Sequence, residues 1–231
     1  MKYLILLIVL CFNGLALTAQ NAVEDLKKCN KLFDEAKTVD YNIRVDIYKQ
    51  CNSSKPSQQF FGRKVKDGNN YYSNINGVIT IVLKDICVIV NTKTKTIYCA
   101  TPQSIKDKEI PLISAYKESV FKKEFTTSLI KSDNSCKIYE IIPKVKVIYK
   151  KIQVKIDLPS FQLGSITYFF YEKSEYCKSI SYYSDIKYNQ RVDKQLFNTN
   201  KYITKVHSKY IPSNGYINYH VSDIRNTNNM K

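Results

Sequence analysis

The chain has 231 residues, a formal net charge of +16 from 36 Lys and Arg against 20 Asp and Glu, 44% hydrophobic residues, and only six Gly and six Pro. Those proportions exclude collagen-like, low-complexity and fully disordered chains, because the apolar content is ordinary for a globular protein and Gly plus Pro is low. A folded chain of this length buries roughly 70% of the surface it exposes when unfolded, enough for a core that needs neither metal nor disulfide. The basic excess is carried by lysine, since only Arg44, Arg63, Arg191 and Arg225 bear guanidinium groups. Base readers and phosphate clamps favour the guanidinium fork, so the composition argues against nucleic acid and leaves transient contact with an anionic membrane surface as one meaning of the charge.

Residues 1–19 combine Lys2, an apolar run from Leu4 to Phe12, and small residues ending in Thr18 and Ala19, the pattern of a signal peptide cleaved after Ala19. No later stretch approaches the roughly 20 apolar residues that span a bilayer. Residues 20–231 are therefore expected to be one soluble, exported domain, periplasmic or secreted. Past Cys11 six cysteines remain, Cys29, Cys51, Cys87, Cys99, Cys136 and Cys177, an even number that an oxidising compartment can pair in about fifteen ways. None has C-x-x-C spacing, and His207 and His220 stand far from any of them in sequence. No metal or other cofactor is expected.

In chain order, Val23, Leu26, Cys29, Phe33 and Ala36 recur at three- and four-residue steps from Asn21 to Thr38, which predicts an amphipathic helix over 22–37 with acidic residues in its first turn. The period then becomes two: Ile43, Val45 and Ile47 alternate with Asn42, Arg44 and Asp46 in a first strand. Asp67-Gly68 and Asn76-Gly77 supply the positive φ of type I′ hairpin turns, and residues 59–100 read as a five-stranded antiparallel meander. Centring the Asn91–Lys95 turn on Lys93 sets Cys87 opposite Cys99, which predicts a cross-strand disulfide between them. Ile113, Tyr116, Val120 and Phe121 predict a shorter helix after Pro111. Strands resume at 136–142, 145–157, 165–172 and 178–189, with two more near 202–206 and 216–221. The apolar phase of 145–157 slips at Lys150-Lys151, which predicts a bulge, and Ile180, Tyr182, Ile186 and Tyr188 form the apolar face of their strand. The fold class expected is mainly β (α+β), a strongly curved antiparallel sheet or incomplete β-barrel with an N-terminal helix and a short lid-like helix.

Catalytic patterns are missing: no G-x-S-x-G, no H-E-x-x-H, no glycine-rich phosphate loop. Carboxylates are scattered with no spacing that favours an acid/base pair, and Asn52-Ser53-Ser54 is a glycosylation-type triplet that a polar loop produces by chance. The chain is expected not to be an enzyme.

The order of signal peptide, amphipathic helix, antiparallel meander, short helix and long strands resembles the LolA/LolB-like periplasmic lipoprotein carriers. The segments Phe197 to Ile203, Tyr210 to Pro212 and Tyr216 to Tyr219, with the Leu17 to Gln20 signal end, are similar to carrier-like proteins of Bacteroidetes, although this chain has no Trp where the carriers are Trp-rich. The resemblance implies a partial barrel that holds a lipid, acyl chain or lipoprotein in an apolar cavity, with Arg44 matching the arginine that tethers the lid. The lining expected is Ile79, Ile81, Tyr168, Phe170, Ile180 and Tyr182. A second reading stays open, a cell-surface or periplasmic interaction module with no small ligand, in which the aromatic strand Tyr168 to Tyr171 packs a core or meets a partner.

Overall fold

The computed structural model describes residues 22–102, 121, 123–172 and 174–225. The expected signal peptide and nearly all of the expected helix around 113–121 lie outside the described residues. Helix α1 spans residues 22–35. The strands are β1 (Thr38–Tyr48), β2 (Gln58–Asp67), β3 (Asn70–Ile75), β4 (Val78–Val82), β5 (Cys87–Asn91), β6 (Thr96–Ala100), β7 (Phe125–Ser132), β8 (Cys136–Pro143), β9 (Tyr149–Asp157), β10 (Gln162–Phe170), β11 (Lys178–Tyr188), β12 (Ile203–Val206), β13 (Lys209–Pro212) and β14 (His220–Asp223). Twelve of them hydrogen-bond in the order β14-β6-β5-β4-β3-β2-β1-β11-β10-β9-β8-β7, while β12 and β13 form a separate hairpin. The pairing is antiparallel except that β14 joins β6 in parallel. The end strands β14 and β7 do not pair with each other, so the sheet is open, not a closed barrel.

The meander β2–β6 follows its turn residues. Asn76 and Gly77, at φ +52° and +83°, join Ile75 to its partner Val78, as a type I′ turn requires. The first hairpin sits one residue later than expected. Asp67 pairs with Asn70, so Gly68, at φ +58°, and Asn69 make the turn. That leaves Asp67 in the strand, buried, where its carboxylate accepts from Lys194 Nζ. In β9, Lys151 pairs with Phe169 and Tyr149 with Phe170, leaving Lys150 as the extra residue, the bulge expected at that place. Residues 145–148 belong to a connection and not to the strand.

The expected Cys87–Cys99 disulfide is corrected. The β5–β6 loop has four residues, not an odd number centred on Lys93, so Asn91 pairs with Thr96, Cys87 with Ala100 and Cys99 with Val88. A one-residue slip turns a side chain to the other face, and the two thiols point to opposite sides of the sheet. Cys29, Cys87, Cys99 and Cys136 are buried thiols outside any disulfide, and among the described residues a disulfide joins Cys51 to Cys177 with Cα atoms 5.4 Å apart. Burial pushes the Cys29 thiol up to about 11, helped by the Asp157 charge, and the Cys99 thiol likewise to about 11, helped by Asp223. Iodoacetamide at about pH 8 is expected to leave these four cysteines unlabelled in the folded protein and to label them after denaturation. Rapid native labelling of Cys99 would contradict its placement.

The described residues form two compact units. The first takes 22–34, 44–59, 121, 123–172 and 174–183; the second takes 35–43, 60–102 and 184–225. In the first, Ala22, Val23 and Leu26 of α1 pack on Tyr139, Ile141, Ile152, Val154, Ile156 and Ile166. Phe121 closes this core, its ring 5.0 Å from that of Phe125. In the second unit one face of β4–β6 carries Ile79, Ile81, Val88, Val90, Ile97 and Cys99, and the chain's own Tyr202 and Ile203 cover it, with Tyr210, Tyr216 and Tyr219 at the margin. Short turns at Lys194–Phe197 and Thr199–Lys201 aim those covering residues inward, capped by the Asp193 and Asn198 side chains.

Candidate functional site

The helix is held over the first unit by an acid inside its apolar stripe. Asp25 is buried, accepts from Tyr139 Oη at 2.7 Å and from Lys137 Nζ at 2.6 Å, and has Lys28 Nζ at 3.8 Å. Burial works to raise its carboxyl, but the hydrogen bonds from Lys137 and Tyr139, with the charges of Lys137 and Lys28, hold it below the usual carboxylate range. Tyr139 is pushed the other way, upward, by burial and by the Asp25 carboxylate. The pairing fixes α1 against β8.

Around that core runs a fringe of half-buried apolar side chains: Leu129, Tyr149, Phe161, Leu163, Tyr168 and Tyr183. Tyr149 and Tyr168 meet edge to face with centroids 5.5 Å apart. Burial drives the Tyr183 phenol well above its ordinary value; the neighbouring Tyr168 and Cys29 add to that and a hydrogen bond with Ser181 pulls against it. Tyr168 is raised by burial alone. Yet both residues keep accessible surface. They stand at the margin of the helix-covered core, packed against it on one side and open on another.

The seven expected site residues do not converge. Ile79 and Ile81 lie inside the packed core of the second unit, in contact with the C-terminal cover. Tyr168 and Phe170 are on β10 in the first unit, Tyr168 on the helix-covered side with Ile166. Ile180 and Tyr182 pair with Thr167 and Ser165, whereas Tyr168 and Ile166 pair with Ser179 and Ser181. Directly opposed residues share a face, so Ile180 and Tyr182 face away from Tyr168. The sequence alternation put them inside; the structure turns Ser181 and Tyr183 there instead. Arg44 sits with Tyr182, its guanidinium 4.2 Å from that ring and its Nε 3.4 Å from Asp46 Oδ1, which also accepts from Gln59 Nε2 at 3.1 Å. Arg44 is thus part of a polar and aromatic cluster on the side of Tyr182, not the side of Tyr168 and Tyr183.

Two features escaped the sequence reading. Asp25 falls in step with Ala22, Leu26 and Cys29, and an acid inside an apolar stripe is a signal that a partner awaits it. The second is an open groove of about 690 Å³ in the second unit, lined by Asn42, Tyr72, Asn74, the exposed Phe61 and Arg63, whose guanidinium is held from outside the lining by Asp40. Its side chains lie on three strands and carry no sequence pattern. Among the described residues no group of His, Cys, Asp and Glu is placed to hold a metal ion, and no helix is long and apolar enough to cross a membrane.

No protein-family model matches the chain, and no curated protein matches it. Solved structures do. An uncharacterized conserved protein from Thermus thermophilus is similar over 88% of this chain and 99% of its own at 8% identity, with a TM-score of 0.52. A LolA superfamily protein from Nitrosomonas europaea matches over 78% of this chain and 97% of its own at 12% identity, with a TM-score of 0.37. The Mycobacterium tuberculosis lipoprotein LppX matches over 74% of this chain and 96% of its own at 10% identity, with a TM-score of 0.44. At such identities a likeness is one of fold alone, which the Thermus protein supports with a TM-score above 0.5; the fold class expected from the sequence, mainly β with an antiparallel sheet and an N-terminal helix, is the one observed.

Proposed function

We propose that this chain is an exported, non-enzymatic protein that holds an apolar ligand, such as a lipid or acyl chain, against the half-buried fringe that β9–β11 carry beside the helix-covered core of its first unit. The observation that carries the reading is the fringe of half-buried apolar side chains beside the helix-covered core, Leu129, Tyr149, Phe161, Leu163, Tyr168 and Tyr183, which the chain's own residues leave partly uncovered. Ligand sites of this kind are mostly apolar with a few polar groups that fix orientation; here the two phenols and Cys29 supply them. Export is supported by the Cys51–Cys177 disulfide, a bond that persists in oxidising compartments. An apolar cargo is drawn from or delivered to a bilayer, so the membrane contact expected from the basic charge belongs to the same reading.

Titration with the fluorescent fatty acid cis-parinaric acid tests it. The wild-type protein is expected to enhance probe emission saturably. Tyr168→Asp, which places a charge among these apolar side chains, should weaken binding by at least about tenfold, equivalent to ~1.4 kcal/mol, with the melting temperature followed to separate loss of site from loss of fold. Wild-type protein that leaves the probe's emission unchanged would overturn the reading.

A further inference from the structure

The connection between β8 and β9 leaves apolar side chains at the surface of the first unit. Val145 is 58% exposed and Ile148 78%, and Ile142, at the adjoining end of β8, is 42% exposed. Around them stand Lys144, Lys146 and Lys150, all exposed. Lys151 is engaged by Glu140 at 2.7 Å. Isolated exposed aliphatics are ordinary, but two on one five-residue connection between lysines make an apolar tip with a cationic collar. That is the arrangement of a segment lying in a bilayer interface, where aliphatics enter the acyl boundary and lysines meet anionic headgroups.

Tyr149 follows Ile148 directly, opens β9, and meets the ring of Tyr168 edge to face. The exposed connection therefore adjoins the fringe of half-buried residues around the helix-covered core. The bulge at Lys150 lies at this junction, and because a bulge re-aims the chain, the tip faces outward while Tyr149 faces Tyr168.

We infer that residues 144–150 dock the protein on an anionic lipid bilayer, Val145 and Ile148 inserting and Lys144, Lys146 and Lys150 contacting headgroups. This deepens the functional reading and rests on it for the source and destination of the cargo.

The chain contains no Trp, so Ile148→Trp makes a single reporter. With vesicles of phosphatidylglycerol and phosphatidylcholine in equal parts, its emission is expected to shift to the blue and to be quenched by brominated acyl chains, and with phosphatidylcholine alone neither should occur. Ile217→Trp, on a position 75% exposed in the second unit, should stay unquenched. In wild-type background, Val145→Ser with Ile148→Ser should weaken co-sedimentation with the anionic vesicles on the order of tenfold, and Lys144→Gln, Lys146→Gln and Lys150→Gln together should reduce its salt dependence. Parinaric acid uptake by the soluble Ser variant should be unchanged, which separates failure of docking from failure of cargo binding. Co-sedimentation with an unshifted Ile148→Trp reporter would mean general attraction to a basic protein and would overturn the inference, as would no co-sedimentation at all.

Discussion

Cys51→Ser with Cys177→Ser is expected to cost about 5 kcal/mol of stability, which at this chain length lowers the melting temperature by roughly 10–15 °C. The cysteines are 126 residues apart, and the bond ties the end of β1 to the start of β11. Closing so long a loop takes more entropy from the unfolded chain than closing a short one. Local contacts reinforce the junction: the Cys177 N–H donates to the Tyr48 carbonyl at 2.8 Å, and Lys178 Nζ donates to the Cys51 carbonyl at 2.8 Å while lying 4.5 Å from the centre of the Tyr48 ring. Denaturant unfolding of the double variant measures the loss. A change below about 1 kcal/mol would mean that these neighbours hold the junction without the bond.

Asp25→Ala should be nearly as damaging, about 3–5 kcal/mol, because it strands a fully buried phenol and a lysine ammonium that both donate to the same carboxylate. Tyr139→Phe removes only one donor and should cost about 1–2 kcal/mol. In the double variant the two losses should not add, since both remove the same hydrogen bond. The acid also confers a pH dependence. Its folded value is depressed, burial being outweighed by the bonds from Lys137 and Tyr139, so its contribution is complete above the unfolded value of about 3.9 and is lost as pH falls through the folded one. Unfolding measured from neutral pH into that acid range should show a slope that Asp25→Ala flattens. Identical slopes in the two proteins would contradict the assignment.

Local patterns were legible in the sequence and long-range register was not. The stripe of Val23, Leu26 and Cys29 located α1, the Asn76-Gly77 turn its hairpin, and the phase slip at Lys150 its bulge, because each depends on residues a few positions apart. Phe33, the next residue of that stripe, is only half-buried, near the end of α1. The partner of Cys51 depends on β1 lying beside β11, a non-local pairing that no spacing encodes. The Cys87–Cys99 expectation failed on one residue of loop length. The inside of β11 failed for a related reason. Ile180 and Tyr182 look like the apolar face, but Ser181 is the residue opposite Ile166 on the helix-covered side, and Tyr183, two positions on, shares its face. Asp185, at φ +54°, breaks the alternation beyond them. Ile79 and Ile81 were read as lining because period-two alternation identifies a buried face without saying whether a ligand or the chain's own C-terminal segment buries it.

The proposed ligand lies against Tyr168 and Tyr183 in the half-buried fringe of the first unit. Native mass spectrometry of the protein purified without detergent from its own host tests that most directly, because a retained lipid adds its mass to the chain. The expected spectrum holds a species heavier than the bare polypeptide by the mass of a lipid, which disappears on organic extraction and is strongly reduced in folded Tyr168→Asp. A single species at the bare polypeptide mass, unchanged after incubation with excess fatty acid, would contradict it.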